Sequence, residues 1–194
     1  MQRAQAVFNA IQRDQQNSVF TRQGIQPLYQ VLPQARILIV SQAPSKKAQQ
    51  AMIFWHDPSG DRLRRWMGVS PAEFYHAGKI AVLPLDFYYP GKGKHGDLPP
   101  RKGFAQKWHL PLLALMPHIQ LTLLIGQYAQ RYYLGAAREK TLTATVQHYR
   151  TYLPRYFPLV HPSPLNYGWL HRNPWFEADV VPDLQKRVRQ LLTD

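Results

Sequence analysis

Four apolar runs of strand length, each cut short by a turn, most restrict the folds open to this chain. They are Arg36-Ile37-Leu38-Ile39-Val40, Lys79-Ile80-Ala81-Val82-Leu83, Ile119-Gln120-Leu121-Thr122-Leu123-Leu124-Ile125 and Tyr156-Phe157-Pro158-Leu159-Val160. Strands with little polar alternation bury both faces, as in a parallel sheet. Stretches of helical spacing separate the runs, at residues 60–67, 104–116 and 127–134. That alternation predicts an α/β fold with the sheet covered on both sides. Right-handed crossovers then bring the ends of all four strands to one rim. Outside this frame, residues 2–16 read as an amphipathic helix with Ala6, Val7, Ala10 and Ile11 on one side. Residues 23–31 read as a short helix stopped by Pro33, and residues 184–192 as a closing helix bearing Lys186, Arg187 and Arg189. No second domain or internal repeat interrupts residues 1–194.

The charge balance narrows the partners. Lys and Arg number 24 against 11 acidic residues, a formal +13 with a pI near 10.2. The excess points to a polyanion, and the interleaving of basic with aromatic residues favours nucleic acid over an acidic protein. The chain has no cysteine, which excludes disulfides, thiolate-bound zinc and a cysteine-held iron–sulfur cluster. Its eight histidines form no ligand pair at helical spacing, so neither a metal nor another cofactor is expected. There is no apolar segment of signal-peptide or bilayer-spanning length. A soluble, cytoplasmic monomer is the expectation.

Chemistry is expected where the strands end. The fourth run is followed by His161-Pro162-Ser163-Pro164-Leu165-Asn166. Two prolines stiffen this turn and fix the direction of the imidazole. A neutral imidazole there can donate a hydrogen bond to a developing anion. Leu165 is either core packing or an apolar wedge between bases. The first run exits into Ser41-Gln42-Ala43-Pro44-Ser45-Lys46-Lys47. Ser41 and Gln42 offer polar groups to a cleft, Ser45 a helix cap, and Lys46 and Lys47 charges for phosphate. Within Phe54-Trp55-His56-Asp57-Pro58-Ser59-Gly60-Asp61, either aromatic can stack on a base or pack in the core, and Ser59 or Asp61 is the expected helix cap. The stretch from Phe87 to Lys102, which includes Tyr88, Lys92, Lys94, His95 and Arg101, reads as a long, basic functional loop. A nucleotide-binding glycine fingerprint, a P-loop and a serine-nucleophile elbow are all missing.

In this order, five pieces resemble the uracil-DNA glycosylase superfamily. They are Val40-Ser41-Gln42-Ala43-Pro44, the segment from Phe54 to Leu63, the long loop after the second strand, Leu124-Ile125-Gly126-Gln127-Tyr128-Ala129, and His161-Pro162-Ser163-Pro164-Leu165. The last is the most specific. The resemblance implies a three-layer αβα sandwich around a central four-stranded parallel sheet. It implies metal-free hydrolysis of the bond between deoxyribose and a damaged or deaminated base flipped out of DNA. His161 and Gln42 then stand at catalytic positions, with Phe54, Ser41, Asp86 and Tyr88 around the base. Lys46, Lys47, Lys92, Lys94, Arg101, Ser163, Leu165, Asn166 and Arg172 stand on the DNA. Two departures stand out. Ala43 and Gln42 occupy the positions where branches of the family carry a carboxylate, and Val82-Leu83-Pro84-Leu85 replaces the region that often ends in a base-reading Asn. Asp57 and Asp86 are the candidates to supply the missing carboxylate. A non-catalytic nucleic-acid or nucleotide binder on the same fold is the alternative reading.

Overall fold

The computed structural model describes residues 2–94 and 96–193. Strands β1 (Ile37–Val40), β2 (Ile80–Val82), β5 (Leu121–Ile125) and β6 (Tyr156–Leu159) form one parallel sheet in the order β2-β1-β5-β6. A separate antiparallel hairpin, β3 (Lys92–Gly93) with β4 (Gly96–Asp97), sits in the long loop after β2. The helices that matter below are α1 (Gln2–Arg13), α2 (Ser18–Arg22), α3 (Lys46–Ala51), α4 (Pro58–Met67) and α5 (Pro71–His76). After the hairpin come α6 (Phe104–Leu113), α7 (Gly126–Leu134), α8 (Leu142–Gln147), α9 (Tyr167–Arg172) and α10 (Val181–Thr193).

The uniform apolarity of the strands has a direct cause. Alternate side chains of β1 go to opposite faces, and both faces are buried. Ile37 and Ile39 join Leu123, Ile125, Phe157 and Leu159 under Leu63, Trp66, Phe74, Leu184 and Val188 of α4, α5 and α10. Leu38 and Val40 join Ala81, Leu83 and Leu124 under Ile11, Phe104, Trp108, Leu112, Ala129 and Leu134 of α1, α6 and α7. This is the three-layer sandwich that the alternation of strands and helices implies. Pro158 is accommodated because β6 is an edge strand.

The other edge shows where the sequence reading needs correction. Residues 23–31 are not a helix. Gly24 leaves α2 with φ +71° and Pro27 withholds a donor, so the segment runs extended. Gln30 N–H donates to Val82 O at 2.7 Å, and Val82 N–H donates back to Gln30 O at 3.1 Å. The polar edge of β2 is thereby covered rather than left open to another chain.

The chain builds β1, then β2 on one flank, and then returns to build β5 on the other. The carboxyl ends of β1 and β5 therefore flank a topological switch point, where open α/β sheets place their ligands.

Candidate active site

A cleft of ≈ 470 Å³ opens at that rim. The segments that follow all four strands reach it: Ser41 and Gln42 after β1, Pro84 after β2, Gln127 and Tyr128 after β5, and His161 after β6. Phe54, Trp55 and Asp57 form a wall, with Ser163 and Leu165 at its edge. His161 and Phe54, more than a hundred positions apart, thus face one space.

The aromatic wall is held by backbone geometry. Trp55 has φ +58°, a left-handed conformation that costs a bulky residue energy. Three features hold it. Gly60, in the first turn of α4, lies so close that an added Cβ would fall 1.7 Å from Trp55 O. The buried Arg64 guanidinium donates to Trp55 O at 2.9 Å, and the Tyr75 hydroxyl donates to it at 3.0 Å. Arg64 is itself paired with Asp61 at 2.6 Å. The helix cap is Asp57, which accepts from Gly60 N–H at 2.9 Å, with Pro58 behind it; it is neither Ser59 nor Asp61. The cap leaves a carboxylate at the cleft, next to a helix N-terminus that favours negative charge. The Trp55 ring lies 5.7 Å from the His161 ring.

His161 sits in a turn with its own fastenings. Ser163 N–H donates to Nδ1 at 3.2 Å, and Asn166 Nδ2 donates to His161 O at 2.8 Å. From α4, Arg62 Nη1 donates to Ser163 O at 3.0 Å and reaches Pro162 O at 3.5 Å. Burial holds the imidazole pKa below its ordinary value, against the opposing pull of Asp57 and Asp97. The ring is therefore neutral at pH 7. With Nδ1 accepting a hydrogen bond, its proton resides on Nε2, which is left as a donor. Beyond this turn Leu165 is 93 % exposed, so it is not a packing residue.

The loop after β2 is organised differently from its sequence expectation. Asp86 is buried and accepts from Arg101 Nε at 2.7 Å, Arg101 Nη2 at 2.8 Å, Arg101 N–H at 3.1 Å and Tyr88 N–H at 3.1 Å. Arg101 also donates to Gln16 O and Asn17 Oδ1, and stacks 4.3 Å from the Phe104 ring centre. Tyr88 is buried against Phe20, ring centres 4.3 Å apart. Asp86, Tyr88 and Arg101 are therefore the stem of the loop and do not line the cleft. Asp86, expected at the base, and Arg101, expected on DNA, instead satisfy each other across fifteen residues of sequence. The tip of the loop does come to the cleft, through Gly96 and Asp97. Gln42 Nε2 holds it there by donating to Leu98 O at 2.6 Å. His95 lies outside the described residues.

Of the other residues singled out, Ser41 and Gln42 line the cleft, while Lys46, Lys47, Lys92, Lys94 and Arg172 are exposed. Ser45 caps α3 by accepting from Ala48 N–H at 3.2 Å. Asn166 braces the His161 turn and lines a smaller concavity that adjoins the cleft at His161. The sequence reading gives no site role to Gly60, Arg62, Arg64, Gln127 or Tyr128, although all but Arg64 lie within the pieces that carry the resemblance. Among the described residues no three His, Asp or Glu side chains are placed to share a metal ion, and no helix is long and apolar enough to cross a membrane. The family model of the uracil DNA glycosylase superfamily matches residues 29–185, well over half of the chain and inclusive of every cleft-lining segment but Leu28.

Proposed function

The chain belongs to the uracil DNA glycosylase superfamily, and from that premise we propose that it is a DNA-base N-glycosylase acting on a deaminated or otherwise damaged base extruded from DNA. One observation carries the reading. A neutral imidazole with its proton assigned to Nε2 shares a cleft with the Phe54 ring, at the switch point of the sheet.

The chemistry follows from these groups. The bond between C1′ and the base nitrogen breaks, and its electron pair leaves with the base. His161 Nε2–H donates a hydrogen bond to the oxygen on which that charge collects, an electrostatic role that needs no proton transfer. Phe54 stacks on the departing ring, which is worth roughly 1–3 kcal/mol. Water then adds to the electron-poor C1′. Of the two carboxylates at the cleft, Asp57 and Asp97, Asp57 stands in the wall beside Phe54 and is assigned to orient that water and take its proton, while Asp86 is committed to Arg101. Asp57 answers the objection that the first-strand turn, with Gln42 and Ala43, lacks an acid. Leu165, exposed at the cleft edge, fills the gap left in the base stack.

Incubation with oligonucleotides containing uracil, hypoxanthine or xanthine, followed by alkaline cleavage of abasic sites, tests the reading. Release of at least one of these bases is expected. Absence of product from all three, single- and double-stranded, would refute it and leave the non-catalytic binder.

A further inference from the structure

The cleft does not end at His161. A second lobe of ≈ 250 Å³ lies on the other side of the imidazole and shares Gln42, Gln127, Tyr128 and His161 with the cleft. Trp169 and Leu142 are among the side chains that line it. Beyond Leu142 lies a third depression of ≈ 160 Å³, which again includes Gln127 and Leu142 and is bordered by Arg131, Arg138 and Lys140. Each space thus shares lining residues with the next.

The last of them has an uncompensated charge. Arg131 projects from the last turn of α7, and Arg138 and Lys140 come from the segment leading into α8. Among the described residues none of the three is in an ion pair. The acid that stands between two of them in sequence, Glu139, is turned to His148 Nδ1 at 3.0 Å, and Arg138 meets only the Glu139 backbone oxygen, at 3.5 Å. Three cations converging on a small concavity, with the local carboxylate directed elsewhere, are arranged for an anion.

We propose that this pocket binds a backbone phosphate of the same DNA strand that delivers its nucleotide to the cleft. The inference rests on the glycosylase reading for the identity of the cleft's occupant. It adds a second contact on that strand, away from the extruded nucleotide. A free base or nucleoside can fill the cleft, but only a strand that continues past His161 and Trp169 brings a phosphate to Arg131, Arg138 and Lys140. None of Lys46, Lys47, Lys92 and Lys94 lines the phosphate pocket, so its charges are additional to theirs.

Binding, not turnover, is the appropriate measurement. A fluorescent single-stranded oligonucleotide carrying a stable abasic analogue is titrated by anisotropy at several salt concentrations, in parallel with base release by the wild-type protein. Each phosphate contact on a single strand contributes about 0.7 to the slope of log affinity against log salt. Arg131→Gln and Lys140→Gln singly are each expected to lower the slope by about 0.7, and Arg131→Gln/Arg138→Gln/Lys140→Gln together by about 2. The single variants keep the test usable should the triple variant misfold. Unchanged slopes and affinities in folded variants, with wild-type base release intact, overturn the phosphate pocket and leave the glycosylase reading standing. A wild-type protein that binds no oligonucleotide at any salt overturns both.

Discussion

The loop stem at Asp86 to Arg101 and the turn from His161 to Asn166 leave the same rim of one sheet, and each begins with a titratable side chain at a strand end. They are used in opposite ways. Asp86 gives both carboxylate oxygens to a guanidinium and two backbone N–H groups, and is sealed from solvent. His161 gives one ring nitrogen to the backbone of its own turn and keeps the other. A polar group at a strand end becomes a reactive one when its fastenings are local and incomplete. It becomes a bolt when a distant opposite charge uses up its hydrogen-bonding capacity.

The sharpest way to break this contrast is to remove each group and ask which property fails. Asp86→Ala leaves Arg101 half-buried and unpaired, which is expected to cost about 3–5 kcal/mol in urea unfolding. Asp86→Ala/Arg101→Met, which removes the orphaned charge, should recover a large part of that loss. If Asp86→Ala instead leaves stability unchanged and abolishes activity, the stem belongs to the site after all. His161→Ala should do the converse. Removing one preorganised donor typically lowers kcat by about 10²–10³. Its unfolding midpoint should stay close to wild type, and a loss of folding rather than of turnover would count against the assignment.

This contrast also marks how far the sequence is legible. The strands are readable because burial on both faces leaves an apolar run, and the His161 turn because its prolines and polar residues are contiguous. Residues 23–31 mislead because Ile25, Leu28 and Val31 are spaced as on a helix, while the decisive factor is the open edge of β2. The stem of the loop is illegible for a similar reason. Nothing near Asp86 in sequence announces Arg101, and a basic residue in a long loop reads as a phosphate contact until its partner is seen. The clamp of Arg62 on Ser163 spans 101 positions and has no local trace at all.

A third titratable group sharpens the comparison from the core side. His109 is buried, and its Nδ1 lies 2.7 Å from the Tyr133 hydroxyl and its Nε2 2.9 Å from Pro84 O, behind the cleft. A carbonyl only accepts, so Nε2 carries the proton and Tyr133 donates to Nδ1. Burial pushes its pKa down to about 4. Above pH 6.5 both the folded and the unfolded chain hold it neutral, and its contribution is complete. Between pH 6.5 and about 4 the unfolded chain takes up a proton that the folded one refuses, so stability falls with pH, by roughly 3 kcal/mol in all. His109→Gln, which keeps a donor for Pro84 O, should be less pH-dependent than wild type by that amount in parallel denaturation series at pH 7 and pH 4. Equal slopes would mean that His109 titrates normally and is not sealed.

The smallest effect concerns how the reactive turn is aimed. Arg62 touches none of the reacting groups in this reading. It holds Ser163 O, whose own N–H fixes His161 Nδ1, and it stands in the same helix that Asp57 caps. One side chain therefore ties the turn that carries the imidazole to the element that carries the carboxylate. Arg62→Met keeps the aliphatic stem and removes the donors. A charge-assisted hydrogen bond of about 1.5 kcal/mol corresponds to roughly a tenfold loss in kcat, if its energy is spent on orientation. KM should move much less, because the Phe54 wall is held separately by Arg64, Tyr75 and Gly60. A merely structural role would instead lower the unfolding midpoint and leave kcat per folded molecule intact. A change confined to KM would place Arg62 on the DNA rather than behind the turn.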